Sequence, residues 1–324
     1  MSVFTPVSRE ALAAWLTAYD LGPLEQFQGI AAGVENSNFF VSTGRGDWVL
    51  TLFERHTPES LAVYLAFMAH LAARHIPCPA PVANRQGQHL GRLCDRPAAL
   101  FTRLAGRPPE APNPAQCAAM GQALARLHLA SRDFQPPGLT LPPHCRDQAW
   151  RQRTGAALAP RLRAPRQALL ARALTATAAG PALPRGLIHA DLFRDNTLFQ
   201  GDQLTGILDF YFAGEEDLVF DLAVVVNDWC LPPEAEARGQ ECLDPTRLAA
   251  LFQAYRKVRP LSPAELADWP RQLRAAALRF WLSRQEDALA PRPGELVTVK
   301  DPEHFRRLLV WLLDATPAQL TPAP

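Results

Sequence analysis

The chain of 324 residues is 48% hydrophobic and carries a formal net charge of +1, with enough apolar material for a sizeable core split into two lobes or domains. So balanced a charge gives no electrostatic footing for nucleic acid or an anionic membrane surface, and no apolar run approaches the ~18 residues that mark a membrane span. The six cysteines (Cys78, Cys94, Cys117, Cys145, Cys230, Cys242) show no C-x-x-C spacing, and the first residues lack a basic-then-apolar leader; the expectation is reduced thiols in a soluble cytoplasmic protein, without zinc site or disulfide framework.

Residues 8 to 19 place Leu12, Trp15, Leu16 and Tyr19 at helical spacing behind Ser8 as N-cap, the pattern of a packing helix. A small and polar loop, Gly29 to Asn38, then feeds a strand at Phe39–Ser42, a turn at Gly44–Asp47 and a second strand at Trp48–Glu54. Backbone N–H groups between Gly33 and Asn38 can approach phosphates where a bulkier loop cannot, which suits a hairpin covering a nucleotide. Thr57 caps a helix with Pro58 in its first turn and Leu61, Tyr64, Leu65, Met68 and Leu71 on its apolar face, ending near His75. Glu59 in that first turn is read as serving the helix dipole.

A strand from Pro97 runs through Phe101, Thr102 and Leu104 into the Pro-rich link Arg107–Pro112, the best lobe boundary in the chain. The backbone of Phe101 to Leu104 is the expected contact for adenine. Asn113-Pro114 caps the next helix, and His128 near its end is read as a satisfied structural histidine. Residues 132 to 147 are aperiodic loop; Arg151 to Leu174 is a basic helical region whose charges are expected on a solvated face.

The most informative stretch is Gly186 to Asn196. A short apolar run delivers His189-Ala190-Asp191, Asn196 follows five residues after Asp191, and a second apolar run from Leu204 ends on Asp209. Leu198-Phe199 and Leu204–Leu208 read as strands joined by a four-residue loop, Gln200–Gln203, which brings Asp209 opposite Arg194 to Asn196. An Asn carbonyl and an Asp carboxylate are the few hard oxygens that Mg²⁺ accepts beside substrate phosphates. Asp191 then stands where a substrate hydroxyl is held in line with a terminal phosphate, as catalytic base, with His189 bracing the loop. Asp221 reads as the N-cap of the apolar helix that follows. It comes only 12 positions after Asp209, which leaves no room for a phosphorylatable activation segment and argues against a folded protein as substrate. Ser262 to Glu265 is a capping box, Ala275 to Asp287 contains Arg279, Trp281 and Arg284, and Lys300-Asp301-Pro302 introduces the last helix. Only Lys257 and Lys300 are lysines, so a Walker A loop and an early-strand kinase lysine are both excluded from the first 256 residues.

These segments resemble the aminoglycoside-phosphotransferase-like, or choline-kinase-like, superfamily of small-molecule kinases, and within it the bacterial homoserine kinases. The likeness is carried by Ala31 to Val41, Val49 to Glu54, His189 to Asn196, Ile207 to Phe210, Phe220 to Ala223 and Asn227 to Cys230. The resemblance implies an α+β, bilobal, protein-kinase-like fold. Residues 1–103 would form an antiparallel sheet with a helix over the nucleotide, and 104–324 a larger, mainly helical lobe for catalysis and substrate. It further implies ATP between the lobes, Mg²⁺ on Asn196 and Asp209, Asp191 as base, and L-homoserine as acceptor in threonine biosynthesis. Nucleotide contacts are expected from Gly33, Asn36, Ser37, Asn38, Thr51, Thr102 and Leu104. Many relatives carry Lys where this chain has Thr51, with Arg45 and Arg55 the nearby cations. A zwitterionic amino acid needs an acid for its ammonium and a base for its carboxylate; Asp228, and Arg279 or Arg284, are the candidates. A kinase for choline, ethanolamine or an aminoglycoside, and a nucleotide-binding regulator without catalysis, are the alternatives.

Overall fold

The computed structural model describes residues 5–30, 36–136, 138–232, 234–235, 238–239, 242–289 and 301–322. Gly33 and Lys300 lie outside the described residues. The chain divides into two compact units, the first built from Met1–Ala105 and Phe134–Thr140, the second from Gly106–Asp133 and most of the chain beyond Leu141.

In the first unit, helix α1 (Arg9–Leu16) is capped by Ser8, whose side chain accepts from the Ala11 N–H, and it stops one turn short of Tyr19. A five-stranded antiparallel sheet follows, β1 (Leu24–Gly29), β2 (Ser37–Thr43), β3 (Gly46–Leu52), β4 (Gly91–Leu93) and β5 (Arg96–Thr102), in the spatial order β1-β2-β3-β5-β4. Side chains alternate across a strand, so Phe39, Val41, Leu50, Leu52, Ala98 and Leu100 share one face and bury against Leu12, Leu16 and Tyr19. The other parity puts Asn38, Thr51 and Ala99 in a row on the opposite face, in register across β2, β3 and β5. Helix α2 (Pro58–Ala73) is capped by Thr57, and its chain leaves through His75 at φ +59°.

The second unit opens with α3 (Pro114–Ala130), held by a capping box between Asn113 and Gln116. Arg151 to Leu174 folds as two helices, α4 (Gln148–Leu158) and α5 (Ala164–Ala176). The expectation of a solvated face is corrected at Arg151, which is only 4% exposed. Two small sheets follow: β6 (Arg185–Ile188) pairs with β9 (Gly214–Asp217), and β7 (Thr197–Gln200) with β8 (Gln203–Ile207). The β7–β8 connection is a two-residue turn at Gly201-Asp202, tighter than the four-residue loop expected, because Gln200 pairs directly with Gln203 and Gly201 supplies φ +59°.

Helix α6 (Leu218–Trp229) is buried along its whole length, and α7 (Pro245–Val258) packs on α3 at Gly121. The 27-residue α8 (Pro263–Leu289) begins with the expected reciprocal bonds between Ser262 and Glu265 and absorbs the stretch bearing Arg279 and Arg284. Helix α9 (Pro302–Asp314) is capped by Asp301. No helix of the described residues is long and apolar enough to cross a membrane.

Candidate active site

Strand β6 ends at Ile188, and the next residues turn sharply: Ala190 sits at φ +67°, a left-handed conformation that costs a residue with a Cβ roughly 1 kcal/mol or more. Asp221 holds it there. Its Oδ2 accepts from the His189 N–H at 2.9 Å and its Oδ1 from the Ala190 N–H at 2.8 Å. Asp221 is thus not the cap of α6, a position taken by Asp217 one turn earlier; it is a wholly buried carboxylate that satisfies the backbone of the loop after β6. Burial acts to raise its pKa, but hydrogen bonds from His128 and His189 win and hold the carboxyl below its ordinary range.

A buried relay backs this carboxylate. The Nε2 of His128 donates to Asp221 at 3.1 Å, and its Nδ1 accepts from the Tyr255 hydroxyl at 2.7 Å. That hydroxyl accepts from Arg259 at 3.0 Å, and Arg259 pairs with Glu265 at 2.7 Å. The assignment makes His128 neutral, in agreement with burial lowering its pKa, and every member has a partner.

His189 ties the two halves of the motif together. Its Nε2–H donates to the Leu208 carbonyl at 2.7 Å, leaving Nδ1 to accept the Asp191 N–H at 3.3 Å. On the other side, the Leu208 N–H donates to the Asn196 carbonyl at 2.8 Å. Asp209, next in the chain, turns at φ +62°, so the hairpin brings Asp209 to the Asn196 end of the loop as its spacing implies. The Asn196 side-chain nitrogen donates to the Asp191 carbonyl at 2.8 Å, which orients its Oδ1 away from that bond. Oxygen donors from one amide and one carboxylate fit a hard divalent cation. The Arg194 N–H donates to Asp228 Oδ2 at 2.8 Å, and the Arg194 guanidinium lies 3.5 Å from Oδ1.

Arg279 pairs with Asp191. It is wholly buried, its Nη1 lies 3.3 Å from Asp191 Oδ1, and its Nε and Nη2 have no hydrogen-bond partner. Burial, with Arg146 nearby, pulls its pKa down to about 9, so it stays charged at neutral pH. Arg284 instead donates to the Asp301 carbonyl at 2.9 Å and stacks on Phe305. His144, buried near Arg279 and Arg151, has no hydrogen bond at either ring nitrogen, its Nδ1 lying 4.0 Å from Glu216 Oε2, and is held neutral by burial and by those cations. His128 is the satisfied structural histidine the sequence suggested; that Asp221 is its partner, and the place of His144, went unseen in the sequence.

The residues expected to meet nucleotide form a tied-in group of the first unit. Thr51, 5% exposed, donates its hydroxyl to Asn38 Oδ1 at 2.7 Å. Ser37 donates to Glu54 at 2.7 Å, and Asn36 Oδ1 accepts the Glu54 N–H at 3.4 Å. The Thr102 hydroxyl accepts from the Ala80 N–H at 2.9 Å, and Leu104 is half-buried just past β5. Arg45 is paired with Asp20 beside the β2–β3 turn, and Arg55 is exposed.

A family model described as the phosphotransferase enzyme family matches residues 26–261. A protein of Methylobacillus flagellatus named homoserine kinase is 48% identical over 311 residues, covering 95% of this chain and 94% of its own. Another of that name from Janthinobacterium sp. is 43% identical over the full length of both. Among solved structures, amicoumacin kinase in complex with AMP-PNP, Ca²⁺ and Ami aligns over 98% of this chain and 96% of its own, at a TM-score of 0.70 and 17% identity. A choline/ethanolamine kinase family protein of Mesorhizobium loti aligns over 95% and 94% at 0.60 and 20% identity. At such identities the two structures speak for the fold alone, which is that of the protein-kinase-like small-molecule kinases; the full-length sequence match carries the rest, and the chain belongs to the phosphotransferase enzyme family.

Proposed function

We infer that the protein transfers the γ-phosphoryl group of ATP to the hydroxyl of L-homoserine, the step that feeds threonine biosynthesis. Relatives of that name match it end to end, and one structural observation favours a carboxylate-bearing substrate: Arg279, buried beside Asp191, with two guanidinium nitrogens unpartnered. Buried donors without acceptors are costly, and a substrate carboxylate supplies the acceptor. Asp191 is the base. Its carboxylate accepts the substrate O–H, orients the oxygen toward the terminal phosphorus and takes the proton as the new P–O bond forms and ADP leaves. His189 keeps the loop backbone in place through Leu208.

Asn196 Oδ1 and Asp209 hold the divalent cation, Mg²⁺ in this reading, which when bound neutralises phosphate charge. Residues 1–103 serve the nucleotide and 104–324 serve catalysis and substrate. Because the Asn36, Ser37, Asn38, Thr51 and Thr102 side chains already have internal partners, their part is to shape the backbone that meets phosphates and adenine. Asp228, engaged with Arg194, and Arg284, engaged with Asp301, brace the loop and helix; Arg279 is the substrate residue. Both ATP and homoserine are cytoplasmic metabolites, so the protein works there.

Measuring ADP release with homoserine, choline, ethanolamine and kanamycin tests the assignment. Turnover with homoserine alone is expected; preference for any of the other three would overturn it.

A further inference from the structure

A cleft of about 700 Å³ opens in the second unit at the far end of β6 from the catalytic loop. Its walls come from the start of α4, the loop before β6, the end of β9 and the middle of α8, and none of residues 189–196 or 209 lines it. Six charged side chains face it: Arg151, Arg185 and Arg271, with Asp147, Glu216 and Asp217.

Their commitments differ. Arg271 is bound two-fold by Asp268 at 2.6 and 2.7 Å, and Asp147 caps α4 through the Trp150 N–H at 2.8 Å. Arg185, half exposed, lies 3.4 Å from Glu216 and 3.7 Å from Asp217. Arg151 is different: 4% exposed, its Nε and Nη1 have no hydrogen-bond partner. A guanidinium is the side chain best shaped to grip a planar carboxylate, and this one lines the cleft over the Phe220 ring with two buried donors unmet, which suits it to an anionic group.

The neighbouring acids decide which kind. A bare dianion such as phosphate would enter beside Glu216 and Asp217, whereas a molecule with both charges meets Arg151 with one end and those carboxylates with the other. Burial already holds the Glu216 carboxyl above its ordinary range, a state that an arriving ammonium group reverses. We propose that this cleft binds a free α-amino acid, carboxylate on Arg151 and ammonium on Glu216 and Asp217, at a site separate from the one that performs phosphoryl transfer.

Hydrogen–deuterium exchange on the full chain, with the protein L-amino acids added singly and inorganic phosphate as the anion control, tests this without relying on turnover. At least one amino acid is expected to protect residues 147–152 and 179–185 saturably. Arg151→Met should weaken that protection about tenfold or more, the usual scale for a lost charge-assisted bond, and Glu216→Gln should weaken it while homoserine turnover persists. Should Arg151→Met fail to fold, Glu216→Gln decides alone. The proposal falls if no amino acid protects these segments, if protection appears only at residues 189–196, or if phosphate protects as well and Glu216→Gln strengthens its effect.

Discussion

In the proposed reaction Asp191 and Arg279 divide the chemistry between them, and each has its own signature. Asp191→Asn removes the proton acceptor while keeping size and the bond from Asn196, so kcat should fall by about 10²–10⁴ with ATP-analogue binding retained; full turnover in that variant would remove Asp191 from the mechanism. Arg279 is better tested by discrimination than by rate, since it also touches Asp191. 3-Aminopropan-1-ol is homoserine without its carboxylate. Arg279→Met should erode the kcat/KM preference for homoserine over that alcohol by about 10–100-fold, the worth of a hydrogen bond to a charged group. An unchanged ratio would assign the carboxylate to another residue. That Asp191, Asn196 and Asp209 come together was legible in sequence because their placement is local: a strand, a loop of fixed length and a hairpin carry all three. Asp221 was misread because an Asp ahead of an apolar run looks like a cap, and only the returning path of β6 shows what its oxygens reach.

Elements were readable where periodicity and caps agree, as at Thr57, Asn113 and Ser262. They were not where a partner distant in sequence decides. The acidic β9 has little strand character of its own and is extended because β6 pairs with it. Arg151 looks like a solvated helix charge until α6 and β9 cover it. The seam between α3 and α7 depends on a missing side chain: a Cβ on Gly121 would stand 2.2 Å from the Leu251 carbonyl oxygen, which is backbone and cannot swing aside. Gly121→Ala should therefore force the helices apart and destabilise the protein by about 1–3 kcal/mol, read as a lower urea midpoint. An alanine tolerated without loss would show the seam to be compliant.

For the whole molecule, the buried histidines set an acid limit. His128 and His144 are both held below the ordinary imidazole pKa by burial. Their neutral forms thus contribute stability that is fully present above about pH 6.5 and is lost as pH falls toward the folded-state values. Asp221, also lowered, adds a contribution present above about pH 3.9 and lost below it. Each histidine adds up to about 1.4 kcal/mol per pH unit once the unfolded chain begins to protonate, so stability should drop between about pH 6.5 and pH 5.5. His144→Phe, in a site that already borders Phe220, should roughly halve that slope; an unaltered slope would place the titration elsewhere.

Thr51, hydrogen-bonded to Asn38 at the position where the resemblance would place a lysine, has a practical corollary. A nucleotide reagent that works by acylating a lysine beside the phosphates finds no lysine in the first 256 residues. A proteome-wide inventory built on such reagents would pass over this enzyme while it consumed the reagent's parent nucleotide.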